Sequence, residues 1–254
     1  MSTFADLHQG PLPLLLPNAW DVASAVVFAE AGFPAVGTSS MGVAATAGLP
    51  DGRRASREAT VRIAEALRDL SVPVTLDLED GQADDPADVA AFVAGLPMAG
   101  LNIEDSWGDR LVPPRRLADK VAAIKARRPD VFVNARVDTF WLGQDATVES
   151  TLERAAVYVA AGADGIFVPG VTDAAVIERL AGGLGVPLNV LAVPGASLEE
   201  LGRLGVRRVS TGSLPYRVAL QAALDTAEAV RNGAELPAAL TYPAIQATLA
   251  SYSH

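Results

Sequence analysis

The chain has 254 residues, a net charge of -10 at neutral pH and no cysteine, and half of its residues are hydrophobic while 6% are aromatic. This composition excludes a disordered chain, and the acidic balance without a long basic run argues against nucleic-acid phosphates or anionic lipids as partners. The lack of cysteine excludes disulfides, thiolate nucleophiles and cysteine-rich zinc sites.

Eight short apolar runs alternate with longer segments of helical period from about residue 14 to about residue 230. The predicted strands are Leu14 to Leu16, Ala35 to Thr38, Val72 to Leu78, Gly100 to Glu104, Val131 to Arg136, Gly165 to Val168, Leu188 to Leu191 and Arg207 to Ser210. The predicted helices that follow them span 20–31, 54–70, 86–95, 114–127, 147–161, 172–182, 197–204 and 214–231.

Eight strand and helix units predict an α/β fold of the (β/α)8 TIM-barrel type. A doubly wound open sheet is the competing architecture, but it usually has fewer strands and needs a reversal of strand order that this even alternation does not suggest. We expect a single domain over residues 1–254, in which 236–254 form a C-terminal helical extension available for oligomer contacts.

Histidine is as uninformative about catalysis as cysteine. The two histidines, His8 and His254, lie at opposite ends of the chain, where neither a Ser-His-Asp triad nor a histidine-based zinc site is plausible. Any metal is therefore expected to be held by oxygen atoms, which favours Mg²⁺, or Mn²⁺ as the alternative. No apolar stretch reaches the length of a membrane span and no signal peptide is recognisable, so we expect a soluble, cytoplasmic protein without a membrane partner.

Acidic residues follow two neighbouring predicted strands. Asp77 and Glu79 are two residues apart at the end of the third strand, so side-chain alternation places both on the same side. Glu104 ends the fourth strand, which lies about 5 Å away in a parallel sheet. Uncompensated carboxylates at the mouth of an apolar barrel are costly, and a divalent cation would offset that cost. The sequence therefore predicts a metal site formed by Asp77, Glu79 and Glu104, although each acid taken alone could equally cap a helix or face solvent.

Arg136 ends the fifth predicted strand beside this metal site, where an arginine can bind a substrate carboxylate through two hydrogen bonds. The alternative is an ion pair with Asp138 or Glu104. The small-residue segment 38–42 after the second strand is a candidate oxyanion cradle. The segment 210–213 after the eighth strand could hold a phosphate, or Ser213 could simply cap the last barrel helix.

Together these motifs resemble the isocitrate lyase and phosphoenolpyruvate mutase superfamily, from Pro17 to Leu214. The resemblance depends on Pro17-Asn18-Ala19-Trp20-Asp21, Gly37-Thr38-Ser39, Gly48-Leu49-Pro50-Asp51-Gly52, Asp77-Leu78-Glu79-Asp80-Gly81, Asn102-Ile103-Glu104-Asp105 and Asn134-Ala135-Arg136-Val137-Asp138. Within this superfamily, the chain is similar to the phosphonomutase and 2-methylisocitrate lyase members. The resemblance implies a 2-oxo acid chelated to Mg²⁺, with Asp77 as the direct ligand and Glu79 and Glu104 acting partly through metal-bound waters.

The resemblance also implies substrate contacts. Arg136 would hold the carboxylate, and Ser39 with the backbone amides of Ser40 and Met41 would form a second carboxylate or oxyanion contact. Asp51 corresponds to an acid near the reacting group, so that Asp51, Arg136 and Glu104 are the candidate catalytic residues. Asn189 resembles a polar residue on the substrate side of the seventh strand.

Two departures from the family pattern leave the general acid unassigned. Lyases of the family carry a catalytic loop with a cysteine, whereas residues 106–116 occupy that place here and predict a mobile lid or a solvated loop. Pro169 stands where lyase relatives usually have glutamate and the mutase has histidine.

The resemblance leaves three functions open. The first is a Mg²⁺-dependent carbon-carbon lyase or hydrolase that acts on a small 2-hydroxy or 2-oxo di- or tricarboxylate through an enolate of a 2-oxo acid. The second is a carbon-phosphorus enzyme, either a phosphonopyruvate hydrolase or a phosphonomutase. The third is a protein that binds a 2-oxo acid without turning it over. The resemblance also implies a homo-oligomer, a dimer or a tetramer, in which C-terminal helices are exchanged.

Overall fold

All eight predicted strands occur in the structure, a computed structural model that describes residues 3–252, and they form one parallel (β/α)8 barrel. The strands are β1 (Leu14–Leu16 and Asn18–Ala19), β2 (Val36–Thr38), β3 (Val74–Asp77), β4 (Gly100–Glu104), β5 (Phe132–Arg136), β6 (Gly165–Phe167), β7 (Leu188–Leu191) and β8 (Val206–Ser210). The predicted barrel is confirmed. Four of the eight strands, β2, β3, β5 and β6, are shorter than predicted, because pairing ends where each of them leaves the barrel.

The barrel is closed by β1, which consists of two segments separated by Pro17. Leu14 to Leu16 pair with β8, whereas Asn18 and Ala19 pair with β2 on the other side. Proline has no backbone N–H to donate, so it suits the point at which the strand changes partner. The Pro17 carbonyl accepts a hydrogen bond of 2.9 Å from the Gly37 amide, which begins the pairing with β2.

The Asn18 side chain fastens this closure. Its Oδ1 accepts hydrogen bonds from the Gly212 amide at 2.8 Å and from Thr211 Oγ1 at 3.2 Å, and its Nδ2 donates to the Thr38 carbonyl at 2.8 Å. A side chain at Gly37 would place its Cβ 2.9 Å from Asn18 Nδ2, so the glycine gives this amide its space. One buried asparagine thus connects residues from both ends of the barrel sequence.

The helices surround the strands as expected, with two short additions. They are α1 (Val22–Glu30), α2 (Ser40–Thr46), α3 (Arg57–Ala66), α4 (Pro86–Ala94), α5 (Pro114–Arg127), α6 (Thr139–Leu142), α7 (Val148–Ala160), α8 (Ala174–Gly183), α9 (Leu198–Arg203) and α10 (Leu214–Asn232). Helices α2 and α6 were not predicted, and both follow strand ends on the side of the barrel that carries the acids. Within residues 3–252, no helix is both long and apolar enough to cross a membrane.

The C-terminal extension is helical only over α11 (Tyr242–Tyr252), and residues 253 and 254 lie outside the described chain. The predicted helix thus begins six residues later than 236. Pro237 interrupts the segment before it, and Pro243 occupies the first turn, where a missing N–H is tolerated. Tyr252 donates its hydroxyl to the Ala66 carbonyl, so α11 lies against the outside of the barrel.

A 3-10 helix, Asp6–Gln9, closes the end of the barrel opposite the acidic residues. Its His8 is 2% exposed, stacks on Phe132 with ring centroids 4.4 Å apart, and contacts Phe4 edge-on at 5.2 Å. Burial, together with repulsion from Arg208, lowers the pKa of His8 to about 4. His8 is therefore a neutral core aromatic, as its position away from the acids suggested.

Replacing His8 by phenylalanine is expected to make stability less sensitive to acid. The unfolded chain has the ordinary histidine pKa near 6.5 and binds the proton more tightly than the folded chain, so His8 removes stability as the pH falls from about 6.5 to 4. Urea unfolding at about pH 7.5 and pH 5 should show the wild type losing about 2 kcal/mol more than His8→Phe. Equal losses in both proteins would contradict the assignment.

Candidate active site

The ends of the strands surround a cleft of about 780 Å³ at the carboxyl face of the barrel. All predicted site residues except Asn189 line this cleft, namely Ser39, Ser40, Met41, Asp51, Asp77, Glu79, Glu104 and Arg136. They come from five separate segments that the chain order keeps apart. The carboxyl face is where barrel enzymes place their catalytic groups.

Asp77 ends β3 and points into the cleft. Its Oδ2 accepts a hydrogen bond of 3.4 Å from the Ser40 amide, and its own amide donates to Thr38 Oγ1 at 3.0 Å. The pKa of Asp77 is raised to about 6, chiefly by burial. The charge of Arg136 opposes this rise, and the nearby charges of Asp51 and Glu79 add to it. The carboxylate is thus held where a cation would be stabilising.

Glu79 departs from the expected alternation. Strand β3 ends at Asp77, and Glu79 has a φ of +52°, in the left-handed region that few side chains adopt. Its carboxylate accepts a hydrogen bond of 2.8 Å from the Arg54 amide and another from the Ser56 hydroxyl. Glu79 therefore lines the cleft while also fixing the loop before α3.

The same loop is fixed by an ion network at the edge of the cleft, where Asp80 and Trp107 contribute to the lining. Arg54 donates to Asp80 through Nε at 2.9 Å and Nη2 at 2.5 Å, and its guanidinium lies 4.7 Å from the centre of the Trp107 ring. The buried Lys120 ammonium also donates to Asp80, at 3.1 Å. These contacts give Asp80 a structural role.

Glu104 and Arg136 form an ion pair across β4 and β5. Arg136 Nη1 lies 2.9 Å from Glu104 Oε2, and Arg136 Nε donates to Asp138 Oδ1 at 2.6 Å. Burial works against the charged guanidinium, but Glu104, Asp138 and Asp77 raise the pKa of Arg136 above its ordinary value. Arg136 therefore forms ion pairs with both Glu104 and Asp138, which fix the guanidinium at the cleft wall. Its contact with a substrate carboxylate stays a prediction.

Glu104 is the second buried acid of the site with a raised pKa. Burial raises its pKa well above the ordinary value despite Arg136, and the charges of Asp138, Asp77 and Glu79 act in the same direction as burial. Two cleft acids, Asp77 and Glu104, thus carry more negative charge than their surroundings stabilise. An additional positive charge between them would relieve this repulsion.

A buried network supports Arg136 from behind. Asp138 Oδ2 accepts a hydrogen bond of 2.5 Å from Ser106 Oγ, and the Asp138 amide donates to Asp105 Oδ1 at 2.8 Å. Asp105 is fully buried and also accepts from Arg154 Nε at 2.6 Å and the Tyr158 hydroxyl at 2.7 Å. Asp105 is therefore structural, as expected, and its partners position Asp138 and through it Arg136.

Ser39 is engaged in capping rather than free. It is the N-cap of α2, and its Oγ accepts from the Gly42 amide at 3.4 Å. The following residues, Ser40 and Met41, form the first turn of α2, whose amides point toward the cleft end of the helix. Asp51 lies at the exposed rim of the same cleft.

The lining of the cleft suits a magnesium ion with few protein ligands. Within residues 3–252, no three histidine, aspartate or glutamate side chains are grouped so that all could hold one ion. Mg²⁺ usually takes one or two carboxylates and retains several waters. Asp77 is a suitable direct ligand, with the repelling charges of Glu79 and Glu104 close by. The assignment of all three acids to a metal stays a prediction.

Asn189 lies below the cleft rather than in its wall. It is 1% exposed, its Oδ1 accepts a hydrogen bond of 3.0 Å from Ser210 Oγ, and its Nδ2 has no partner among the described residues. Ser210 itself lines the cleft. The substrate contact of Asn189 stays a prediction.

Arg208 fills the barrel interior beneath this site. The side chain is 1% exposed, donates to Ser210 Oγ at 3.3 Å and Asn102 Oδ1 at 3.2 Å, and leaves Nη1 without a partner in the described chain. Burial lowers the pKa of Arg208 to about 9, while Asp77 is the acid that opposes this shift. The strand pattern of residues 207–210 does not indicate that Arg208 is buried inside the barrel.

Replacing Arg208 by methionine is expected to stabilise the protein. A buried cation without a carboxylate partner is costly, and replacing buried charges by apolar side chains of similar size often adds about 1–4 kcal/mol to the free energy of unfolding. Urea denaturation of Arg208→Met should show this gain. Its neighbour Arg207 points out of the barrel, so Arg207→Met is the matched control and should change stability by less than about 0.5 kcal/mol.

Several other cleft residues escaped the sequence reasoning. They are apolar or aromatic side chains at the ends of strands and in the loops beyond them: Trp107, Trp141, Phe167, Leu191 and Pro194. A search restricted to polar residues could not find the apolar ones. Their position directly after a strand was the available signal.

The proposed lid segment is ordered as a hairpin in this structure. Ser106–Trp107 pair antiparallel with Arg110–Leu111, and the turn contains Gly108 with a φ of +61°. Gln144 holds the hairpin by donating to the Asp109 carbonyl at 2.7 Å and accepting from the Leu111 amide at 3.2 Å. Opening of this hairpin stays a prediction.

The arrangement of these acids on the barrel agrees with the match to a known family. The family model described as phosphoenolpyruvate phosphomutase matches residues 4–231. The chain belongs to this enzyme family. The resemblance drawn from the sequence motifs is therefore confirmed, and with it the prediction that the chain is an enzyme of the superfamily.

Relatives of this phosphoenolpyruvate phosphomutase family member include uncharacterised and named proteins. An uncharacterised protein of Mycobacterium tuberculosis (strain H37Rv) is 49% identical over 252 residues, which are 99% of this chain and 98% of that protein. The 2-methylisocitrate lyase of Halalkalibacterium halodurans is 30% identical over 212 residues, or 79% and 68% of the two chains. The named relatives thus include a carbon-carbon lyase.

Solved structures of the family share the fold. A provisionally assigned phosphonomutase of Burkholderia cenocepacia J2315 superimposes with a TM-score of 0.83 at 36% identity, over 89% of this chain and 97% of that chain. A phosphonopyruvate hydrolase in complex with oxalate and Mg²⁺ has a TM-score of 0.81 at 22% identity, over 98% and 96% of the two chains. The second likeness concerns the fold alone.

Proposed function

We propose that this family member is a Mg²⁺-dependent carbon-carbon lyase or hydrolase for a small 2-hydroxy or 2-oxo di- or tricarboxylate. The observation that supports this most directly is the placement of Arg136 beside the buried acids Asp77 and Glu104 in one cleft. An arginine fixed next to a cation site is suited to a substrate that presents a carboxylate and an adjacent oxygen. The 2-methylisocitrate lyase among the relatives supports the same class of reaction.

The protein's own residues account for binding and orientation. Glu104 and Asp138 hold Arg136 through Nη1 and Nε, so the remaining Nη2 edge can donate to a substrate carboxylate. The first turn of α2 offers backbone amides to a second oxygen. Holding both ends of a small acid in this way aligns the reacting bond without a covalent intermediate.

Asp77, with Glu79 and Glu104 nearby, would hold the cation. When bound, Mg²⁺ supplies a positive charge that polarises the C2 oxygen and favours an enolate. Asp51, an exposed residue at the rim of the cleft, would exchange a proton with the part of the substrate that leaves. The buried network behind Arg136 keeps this orientation fixed during the reaction.

A carbon-phosphorus reaction is the second candidate, because a provisionally assigned phosphonomutase is 36% identical to this chain. The substrates of the two candidate reactions share the 2-oxo acid group and differ in the atom that is bonded to C3. Turnover of phosphonopyruvate with release of phosphate or rearrangement would favour this second candidate. A protein that binds the 2-oxo acid without turnover is the third outcome.

Calorimetric titration with oxalate, with and without Mg²⁺, tests the site. Oxalate presents two adjacent carboxylates, and we expect it to bind only when Mg²⁺ is present. Pyruvate, oxaloacetate, isocitrate, 2-methylisocitrate and phosphonopyruvate are then followed by NMR for products. Product from oxaloacetate, isocitrate or 2-methylisocitrate supports the lyase or hydrolase. Product from phosphonopyruvate alone supports the carbon-phosphorus enzyme instead. If no compound binds in a metal-dependent way, the proposed site is rejected.

The chain is proposed to form a homo-oligomer, a dimer or a tetramer, through its last barrel helix. None of the 19 residues of α10 is buried, and Val218, Leu220 and Leu224 are each more than half exposed. Large apolar surfaces of this kind usually mark protein contacts. The exchange of C-terminal helices implied by the family resemblance would cover them.

Sedimentation velocity is expected to show a dimer or larger assembly for the wild type. Leu224→Lys, which places a charge in the middle of the exposed face of α10, should shift the distribution toward monomer. Exposed Asp88→Lys, on α4 rather than α10, is the control for a change of charge alone. Monomeric wild-type protein would reject the oligomer.

A cytoplasmic location and a single domain over 1–254 are kept as proposals on the sequence argument.

A further inference from the structure

The cleft is chemically divided, and this division bears on the substrate. The acids, Arg136 and the α2 amides come from the ends of β2 to β5. The ends of β6 and β7 and the loops after them contribute Phe167, Pro169, Leu191 and Pro194 instead. Trp141 of α6 lies between the two halves. We define these five side chains as the apolar wall.

The apolar wall directly adjoins the group that would hold the substrate carboxylate. The Arg136 guanidinium lies 5.6 Å from the centre of the Trp141 ring and 5.9 Å from that of Phe167. A small acid bound by Arg136 therefore has aromatic carbon as its next neighbour on that side. Substituents on C3 that extend away from the acids must follow this wall.

The charge distribution of the cleft restricts what such a substituent can be. The lining contributed after β6 and β7 contains no charged side chain among the described residues, and Arg217 of α10 lies exposed at the rim. A carboxylate on the wall would lose its hydration without gaining a cation. An alkyl or aryl group would instead gain from leaving water.

We infer that the substrate carries an apolar alkyl or aryl substituent, which lies on the apolar wall while its carboxylate and C2 oxygen lie at Arg136 and Asp77. This inference depends on the proposed function and narrows its substrate class. The carboxylates of the substrate belong to the half of the cleft formed by β2 to β5. Among the described residues, the lining after β6 and β7 offers no cation to the remote carboxylate of a tricarboxylate.

Affinities of a series of 2-oxo acids test this inference. In the presence of Mg²⁺, the series pyruvate, 2-oxobutyrate, 2-oxopentanoate and 2-oxohexanoate should bind with a dissociation constant that falls by up to about fourfold for each methylene, or about 0.8 kcal/mol. The matched pair 2-oxoglutarate and 5-methyl-2-oxohexanoate has nearly the same shape, with a carboxylate in one and an isopropyl group in the other. The apolar member should bind at least about tenfold more tightly.

Two variants test whether the apolar wall causes the rise in affinity with chain length. Trp141 is 56% exposed, so Trp141→Ala should fold normally, and Leu191→Ala removes a second part of the wall. Both should reduce the affinity for 2-oxohexanoate by a larger factor than the affinity for oxalate. Thermal unfolding of each variant shows that the fold is retained.

The outcomes separate this inference from the proposed function. Oxalate that binds only with Mg²⁺, together with an affinity that rises with chain length, supports both. Intact oxalate binding with a flat series, or with tighter binding of 2-oxoglutarate, overturns the apolar substituent and leaves the proposed function standing. Loss of Mg²⁺-dependent oxalate binding in the wild type overturns the proposed function, and the substrate inference with it.

Discussion

Asp77→Asn is expected to abolish Mg²⁺-dependent binding of oxalate while making the metal-free protein more stable. The carboxylate of Asp77 lies at the end of β3, toward the cleft, with its Oδ2 next to the Ser40 amide. An asparagine oxygen keeps the shape of the side chain but not its charge. Because Mg²⁺ depends on anionic oxygen ligands, binding should weaken by at least about 100-fold.

The gain in stability follows from the direction of the pKa shift. Asp77 has an ordinary pKa of 3.8 in the unfolded chain and a pKa raised to about 6 in the folded chain. The folded chain therefore holds the proton more tightly, and stability falls as the pH rises through this interval. At about pH 7.5 the ionised Asp77 carboxylate lowers the free energy of unfolding by up to about 3 kcal/mol, and asparagine, which does not ionise, avoids this loss.

Calorimetry and urea unfolding on the same preparations measure both effects. Asp88, an exposed residue of α4, provides the matched control, since Asp88→Asn should change neither the dissociation constant nor the stability by more than about 0.5 kcal/mol. Unchanged Mg²⁺-dependent binding in Asp77→Asn would remove Asp77 from the metal site. Lower stability in the metal-free variant would show that Asp77 has a structural role.

Arg136→Ala is expected to weaken oxalate binding by about 2–5 kcal/mol, or roughly 30- to 4,000-fold. Part of this loss arises because two acids, Glu104 and Asp138, lose the guanidinium that lies 2.9 Å and 2.6 Å from them. The same loss should destabilise the fold, since breaking buried ion pairs leaves uncompensated charge. Binding therefore has to be measured where the variant is folded.

Arg136→Lys keeps the charge and removes the planar fork, so it should fold and bind oxalate with an intermediate dissociation constant. The control is Arg128→Lys, which alters a half-buried arginine that pairs with Asp130 and does not line the cleft. That variant should lose stability without a comparable loss of affinity. If Arg136→Ala binds oxalate as the wild type does, the carboxylate is held elsewhere.

The sequence was sufficient for the architecture because strand and helix periods are local properties. Barrel closure and the carboxyl-face position of Asp77, Glu104 and Arg136 follow from the order of elements, and both agree with the structure. Closure through a first strand broken at Pro17 could not be read in advance, since it depends on pairing with two strands distant in sequence.

The details of the site depended on backbone geometry that the sequence does not specify. The orientation of Glu79 was predicted from alternation, which applies only while the strand continues, and β3 ends two residues earlier. Asn189 was placed by family resemblance, whereas its depth in the barrel depends on Ser210 and Arg208 around it. Trp141 and Leu191 were overlooked because the search considered polar residues alone.

The closure by Asn18 also sets the order in which the molecule can be completed. Asn18 bonds to Thr211 and Gly212, which are 193 and 194 residues further along the chain. During synthesis, Asn18 and Ala19 can pair with β2 early, whereas Leu14 to Leu16 must wait until β8 has left the ribosome. Until that moment the nascent barrel is an open sheet with exposed edges, the kind of surface on which partly folded chains associate.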